Sequence, residues 1–273
     1  MPSLIPSKLT DDMNQRMALQ RLDFERRTIS DLDVNLETTH YVVRAISKLG
    51  LWNGIVYSHF PRSVAEAVIA NEISYFANLR RSFEWKVYSH DEPPDLLTRL
   101  ENRGFNIGAE ESLMILDLQE LSSDLLAPNP EGITITAVAD DEGIGHFLSL
   151  EAAIWGAQAD TSRAFLQTTL KHRFQGHRAF IAYSREKPIG FGRVSVSQGS
   201  QFAGLWGGSV LPEFRSRGIY RALLAARIQH ARAFDSVRYF RADALPSSRP
   251  ILERYGFARV GSTWPANSPP TDN

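Results

Sequence analysis

The chain has 273 residues, 43% of them hydrophobic and 22% charged, with a formal net charge of −1, which is enough apolar content for two ordinary globular cores. It contains no cysteine, so disulfides, thiolate-held zinc and a cysteine nucleophile are excluded. No apolar run reaches membrane-spanning length and the opening residues MPSLIPSKLTDDMNQ lack the basic and apolar regions of a secretory signal, so a cytoplasmic protein with no membrane partner is expected.

From about Thr10 to Ser30, apolar residues at Met13, Met17, Leu19, Leu22 and Phe24 predict a helix, and Asp31 to Lys48 predicts a second one that stops at Gly50. GIVYSH (Gly54 to His59) reads as a strand. Ser63 to Leu79 reads as an amphipathic helix, with Ser63 as N-cap and Glu66 as its capping-box partner. A strand at Phe83 to Ser89, a short helix at Pro94 to Asn102 and a strand at Ser112 to Leu118 follow. LLAPNPEG (Leu125 to Gly132) breaks both periodicities and is the expected linker between domains at 1–128 and 129–273.

The second part opens with a period-two strand at Ile133 to Val138, then helices at Asp140 to Trp155 and Ser162 to Phe174. Ala179 to Ser184 and Ile189 to Val196 flank REKP as a hairpin, in which Pro188 needs an edge or loop position. Leu205 to Leu211 is a strand, a helix starts at about Ile219, and strand Val237 to Asp243, helix Ser247 to Tyr255 and strand Phe257 to Thr263 close the pattern. The tail NSPPTDN is expected to be disordered.

The two parts repeat one another. Asp243, Pro246, Leu252, Glu253, Gly256 and Phe257 have counterparts 152 positions earlier in Asp91, Pro94, Leu100, Glu101, Gly104 and Phe105. Their charges differ: residues 133–273 carry 17 Lys/Arg against 11 Asp/Glu, and residues 1–132 carry 13 against 20. A basic part suits a polyanionic ligand and an acidic part a cationic one, although a scattered solvated surface gives the same totals. No Lys/Arg cluster is interleaved with aromatics, so nucleic acid is not an expected partner, and no histidine shows ligand spacing with a carboxylate, so no metal is expected.

The stretch GLWGGSVLPEFRSRGIYRALLAARIQHARAF (Gly204 to Phe234) places a strand, a turn opened by Pro212, an Arg/Gly loop and a helix in succession. The first helical N–H groups lack intrahelical partners and sit at the positive end of the macrodipole, which makes this an anion site. Val210, Pro212, Arg215 and Gly218 match the signature V-x-P-x-x-R/Q-x-x-G-x-G/A, and here the chain resembles the GNAT superfamily of N-acetyltransferases. Tyr220 departs from it, standing where the family has a small residue.

The resemblance implies an α/β (α+β) GNAT fold with a mixed, mostly antiparallel sheet and a central splayed parallel pair. With the internal repeat it implies two tandem units. The first unit is expected to be degenerate, because its strand-to-helix turn, SHFPRSVAEAV, has no glycine. The resemblance further implies direct acetyl transfer from acetyl-coenzyme A to an amine of a small molecule or peptide, by a monomer or homodimer. Main-chain groups at Val210 and Leu211 would hold the pantetheine, and those of Arg215, Ser216, Arg217, Gly218, Ile219 and Tyr220 the pyrophosphate. Glu151 and Trp155 lie in the segment that contacts acceptor in family members, with a core position as the plainer alternative for Trp155.

Two positions depart from the family's proton-transfer groups. Gly204 stands where some members place a carboxylate, and Leu252 where many place the tyrosine that protonates the leaving thiolate. Asp243, at a strand end, is the candidate base or anchor for the amine, with an N-cap as the plainer alternative. Tyr255, three residues past Leu252, is the candidate acid, with packing at the helix end as its alternative. A non-catalytic sensor of acetyl-coenzyme A fits the same departures. No G-x-G-x-x-G follows a strand, which argues against a dinucleotide fold.

Overall fold

The computed structural model describes residues 12–31, 33–156, 159–171 and 175–269. The first helix, α1, runs Asp12–Thr28; Thr10 and the last residues of the tail, 270–273, lie outside the described residues. The helix expected at Asp31 to Lys48 is instead a β-hairpin, β1 (Val34–Thr38) and β2 (Val42–Ser47). β-Branched Val34, Val42, Val43 and Ile46 suit the pleat. Thr39 makes the turn: its Oγ1 accepts from the N–H groups of Tyr41 and Val42.

β3 (Asn53–Ser58) leads through a 3₁₀ turn at Arg62–Val64 into α2 (Ala65–Asn78). Ser63 lies inside that turn and caps nothing. Glu66 leaves the expected box to pair with Arg99 at 2.8 Å and Arg103 at 2.7 Å, both on or just past the helix that follows. β4 (Glu84–Tyr88), α3 (Leu96–Asn102), β5 (Asn106–Ile107) and β6 (Glu111–Asp117) complete the first run. β7 (Ile133–Ala137), α4 (Asp141–Trp155), α5 (Ala159–Lys171), β8 (His177–Ser184), β9 (Lys187–Val196) and β10 (Phe202–Val210) come next. α6 (Ile219–Ala231), β11 (Tyr239–Ala244), α7 (Arg249–Arg254) and β12 (Ala258–Asn267) end the chain. Pro188 lies near the start of β9, where the register with β8 shifts, a place in which its missing N–H costs little.

The chain divides into two compact units, and their boundary differs from the expected 128/129. One runs to Ile115 and also takes in Asp243 onward; the other is Leu116–Ala242. The reason is β12, which pairs antiparallel with β4 (Thr263↔Tyr88) on one side and with β6 (Ala258↔Ile115) on the other. The last strand of the C-terminal half thus completes the sheet of the N-terminal half.

In the first unit the order is β1-β2-β3-β4-β12-β6, antiparallel except for β3 and β4. Ile55, Phe60, Ile69, Phe76, Trp85, Leu96 and Leu100 form its core. In the second unit the order is β7-β8-β9-β10-β11, antiparallel except for β10 and β11. Ile144, Phe147, Leu166, Ile181 and Phe191 form a core on its α4 side.

The repeat at an offset of 152 is a repeat of geometry. Gly104 and Gly256 take φ of +84° and +91°, donate to Glu101 and Glu253 carbonyls, and are followed by Phe105 and Phe257, whose N–H groups donate to Leu100 and Leu252 carbonyls. Both leucines and both phenylalanines are buried, the pattern of a left-handed C-cap with its hydrophobic contact.

Candidate active site

β10 and β11 run parallel only from Phe202↔Tyr239 to Gly204↔Arg241, and β10 continues alone to Val210 with β9 on its other side. The strands part, so the β11-facing edge of β10 beyond Gly204 continues without a parallel partner among the described residues. Within that free stretch the register with β9 shifts between Trp206 and Ser209. Gly207 and Gly208, with φ of +64° and +107°, form the bulge, which L-residues with a side chain rarely adopt. The pair escaped the sequence reading, although two glycines inside a strand are the signal of a bulge or a close backbone approach.

At the end of β10, Val210 is buried and Leu211 donates its N–H to the Ile189 carbonyl at 2.9 Å. Pro212–Phe214 forms a 3₁₀ turn. Arg215 folds back so that its Nε donates to the Val210 carbonyl at 3.1 Å, and Arg217 Nη2 donates to the Glu213 carbonyl at 2.9 Å. Both arginines brace the loop through its own main chain. Ser216 takes a left-handed φ of +62° and Gly218 one of +75°.

Gly218 is the N-cap of α6 and supplies no side-chain acceptor. The first helical bond is Ala222 N–H to the Gly218 carbonyl, so the N–H groups of Ile219, Tyr220 and Arg221 precede the helical ladder and point toward its positive end. A Cβ at Gly218 would sit 3.3 Å from Pro130 Cγ. Pro130 belongs to the expected linker, which is anchored: Leu125 is fully buried, and Arg221 donates to the carbonyls of Ala127 and Pro128, both at 2.5 Å.

On the α4 side of the sheet, a Cβ at Gly207 would meet Trp155 Cη2 at 3.0 Å, which places Trp155 against the bulge, 51% exposed and edge-on to Phe191. Glu151 is buried on the same helix, accepts from Ser162 Oγ at 3.0 Å, and leaves Oε2 without a partner. Burial lowers the pKa of Arg193, and Glu151 opposes that fall. Above Gly204, Trp206 Nε1 donates to Ser195 Oγ at 2.7 Å, and a Cβ at Gly204 would lie 2.9 Å from each of these atoms. A carboxylate there would have to displace this pair.

Asp243, Leu252 and Tyr255 fall in the other compact unit. Asp243 caps no helix, since the N-cap of α7 is Ser248. Its Oδ2 lies 3.4 Å from Lys86 Nζ, which binds Glu111 at 2.6 Å, while Oδ1 is buried without a partner. Burial works against the Lys86 ammonium, but Asp243 and Glu111 outweigh it and hold its pKa above the ordinary lysine value. Tyr255 is half-buried at the end of α7, and its N–H donates to the Leu252 carbonyl at 2.9 Å. Among the described residues, no group of three or more His, Asp or Glu is placed to hold a metal, and no helix is long and apolar enough to cross a membrane.

Residues 146–257 match the model of the acetyltransferase (GNAT) family. Among solved structures, a GCN5-related N-acetyltransferase from Kribbella flavida is similar over 93% of this chain and 95% of its own, with a TM-score of 0.64 at 15% identity. A tandem GNAT protein from the clavulanic acid biosynthesis pathway is similar over 98% of this chain and 99% of its own, with a TM-score of 0.60 at 15% identity. A conserved protein from Staphylococcus epidermidis follows at a TM-score of 0.63 and 16% identity, covering 87% of this chain and 94% of its own. A search of curated protein sequences returns no match.

Proposed function

With residues 146–257 a domain of the acetyltransferase (GNAT) family and the whole chain folded as tandem GNAT proteins are, we propose that the protein moves an acetyl group from acetyl-coenzyme A directly to an amine. One observation carries this reading. The strand that parts from its parallel neighbour at Gly204 runs through a two-glycine bulge into a braced Arg/Gly loop and an uncapped helix start. Unpaired strand groups fit the amides of pantetheine, and the loop and first helical turn fit a pyrophosphate.

In this proposal Val210 and Leu211 hold the pantetheine, Leu211 through its carbonyl because its N–H is donated to Ile189. The N–H groups from Ser216 to Tyr220 hold the pyrophosphate in the loop that Arg215, its own N–H donated to the Pro212 carbonyl, braces. Glu151 and Trp155 border the acceptor side. With no cysteine in the chain, transfer is direct. An alkyl amine with a pKa near 10.4 is neutral in only about one molecule in 2,500 at pH 7, so a carboxylate or a water chain must take its proton. Asp243, fixed beside Lys86, is the carboxylate proposed for that step. The acidic balance of residues 1–132 favours a cationic acceptor.

A second reading, a sensor that binds acetyl-coenzyme A without turning it over, is favoured by the apolar Leu252, buried where a proton donor is expected. Coenzyme A release measured over a panel of amines separates the two. Sustained release with any amine supports transfer, and binding without release with all of them supports the sensor.

A further inference from the structure

The helix α6 packs on β8, β9 and β10 through a buried stripe, Ile219, Leu223, Arg227 and Ala231, spaced four residues apart as a core face requires. Three of the four are apolar. Arg227 is not, yet it is 0% exposed. Its Nε donates to the Leu223 carbonyl of its own helix at 3.1 Å, and neither Nη1 nor Nη2 has a hydrogen-bond partner among the described residues.

Two glycines make room for the guanidinium. A Cβ at Gly192 would come within 3.0 Å of Cζ, and one at Gly208 within 3.1 Å of Nη1. Tyr220 closes the same space, its Cε2 3.2 Å from that Gly208 Cβ position and its ring 5.7 Å from Arg227 Cζ. Burial lowers the pKa of Arg227 from the ordinary arginine value, and among the described titratable groups on α6 and the strands packed against it, which include His230, Arg178, Tyr183 and Arg193, only Tyr220, through its hydroxyl, opposes that fall. Among the described residues no carboxylate does. A guanidinium nonetheless keeps its proton in proteins. A buried guanidinium without a counter-charge is costly, and an aliphatic side chain would fill the stripe without that cost.

We propose that Arg227 is a positioning residue for acyl transfer: buried beneath the Gly207–Gly208 bulge without a counter-ion among the described residues, it supplies fixed positive charge to the negative charge that develops on the thioester and its departing sulfur. This rests on the acetyl-coenzyme A reading of the site, which lays the thioester along β10. In the transfer the C–N bond forms, the C–S bond breaks, and sulfur leaves with the electron pair. The proton released by the amine passes to Asp243, as proposed above, and an equivalent proton reaches the sulfur through water. A fixed cation in a water-poor site stabilises that sulfur without itself transferring a proton, which meets the need left by Leu252.

The test is a spectroscopic titration of the thiol of bound coenzyme A, followed by thiolate absorbance, for the wild type, Arg227→Lys and Arg227→Met, each at saturating ligand. The wild-type complex is expected to ionise its thiol at least about tenfold more readily than free coenzyme A. Arg227→Lys keeps most of that shift and Arg227→Met abolishes it. If Arg227→Met does not fold, Arg227→Gln, which keeps polar reach without charge, makes the same comparison. Equal titrations in the wild type and the uncharged variant, with coenzyme A bound in both, overturn the role of Arg227 and leave the acetyl-coenzyme A reading standing. Absence of coenzyme A binding to the wild type overturns both.

Discussion

Arg215 Nε donates to the main-chain oxygen of Val210 at 3.1 Å, tying the middle of the loop to the end of the strand that feeds it. A hydrogen bond from a charged donor contributes about 1.5–3 kcal/mol, and here it holds the path of the backbone N–H groups assigned to the pyrophosphate. Arg215→Ala is expected to weaken acetyl-coenzyme A binding by about tenfold or more while changing kcat at saturating cofactor much less. A kcat loss larger than the loss in affinity would place Arg215 in the chemistry instead.

Gly218 combines a left-handed φ of +75° with a Cβ position 3.3 Å from Pro130. Gly218→Ala is expected to cost about 1–2 kcal/mol for the left-handed backbone, read as a lower midpoint in urea. Gly218→Glu adds a negative charge at the helix start and is expected to abolish cofactor binding in protein that still melts cooperatively. Normal cofactor affinity in Gly218→Glu would remove this loop from the site.

Asp243 is the carboxylate proposed to receive the amine's proton, and Lys86 at 3.4 Å keeps it in place. Asp243→Asn is expected to lower kcat/KM by at least about a hundredfold with acetyl-coenzyme A affinity unchanged in calorimetry. A loss below threefold would assign the step to water alone.

His230 on α6 lies edge-on to Phe180 and Phe234. Burial pushes its pKa below the ordinary 6.5, with Arg178 next to burial in effect, although the Gln175 carbonyl opposes the shift. The folded state therefore disfavours the charged form. Its stabilising contribution is complete above pH 6.5 and is lost as the pH falls through the depressed folded value. That loss falls between pH 7 and 5, and His230→Phe should flatten that limb of the stability profile. An unchanged limb would assign the acid sensitivity to other groups.

Much of this site was legible in the residues because its determinants are local. Pro212, Arg215 and Gly218 specify a turn and a helix start within one short stretch, and the offset between Gly104 and Gly256 exposed a repeated C-cap. What stayed hidden depends on partners far away in sequence. The placement of β12 between β4 and β6 is a non-local pairing that no period reveals, and it moves the unit boundary into β11. In the hairpin at Val34–Ser47 the strand was legible, since Leu32, Val34 and Leu36 alternate with a strand's period; what the residues alone do not show is its turn, which depends on the Thr39 hydroxyl. Arg227 was hidden for a different reason: its spacing marks a core position, and only the packing of Gly192 and Gly208 around it shows the room its guanidinium takes.

The most direct measurement is isothermal titration calorimetry of the full chain with acetyl-coenzyme A. The account predicts saturable binding at one site per chain, lost in Gly218→Glu. No detectable binding at high micromolar acetyl-coenzyme A, in protein that melts cooperatively, would contradict it.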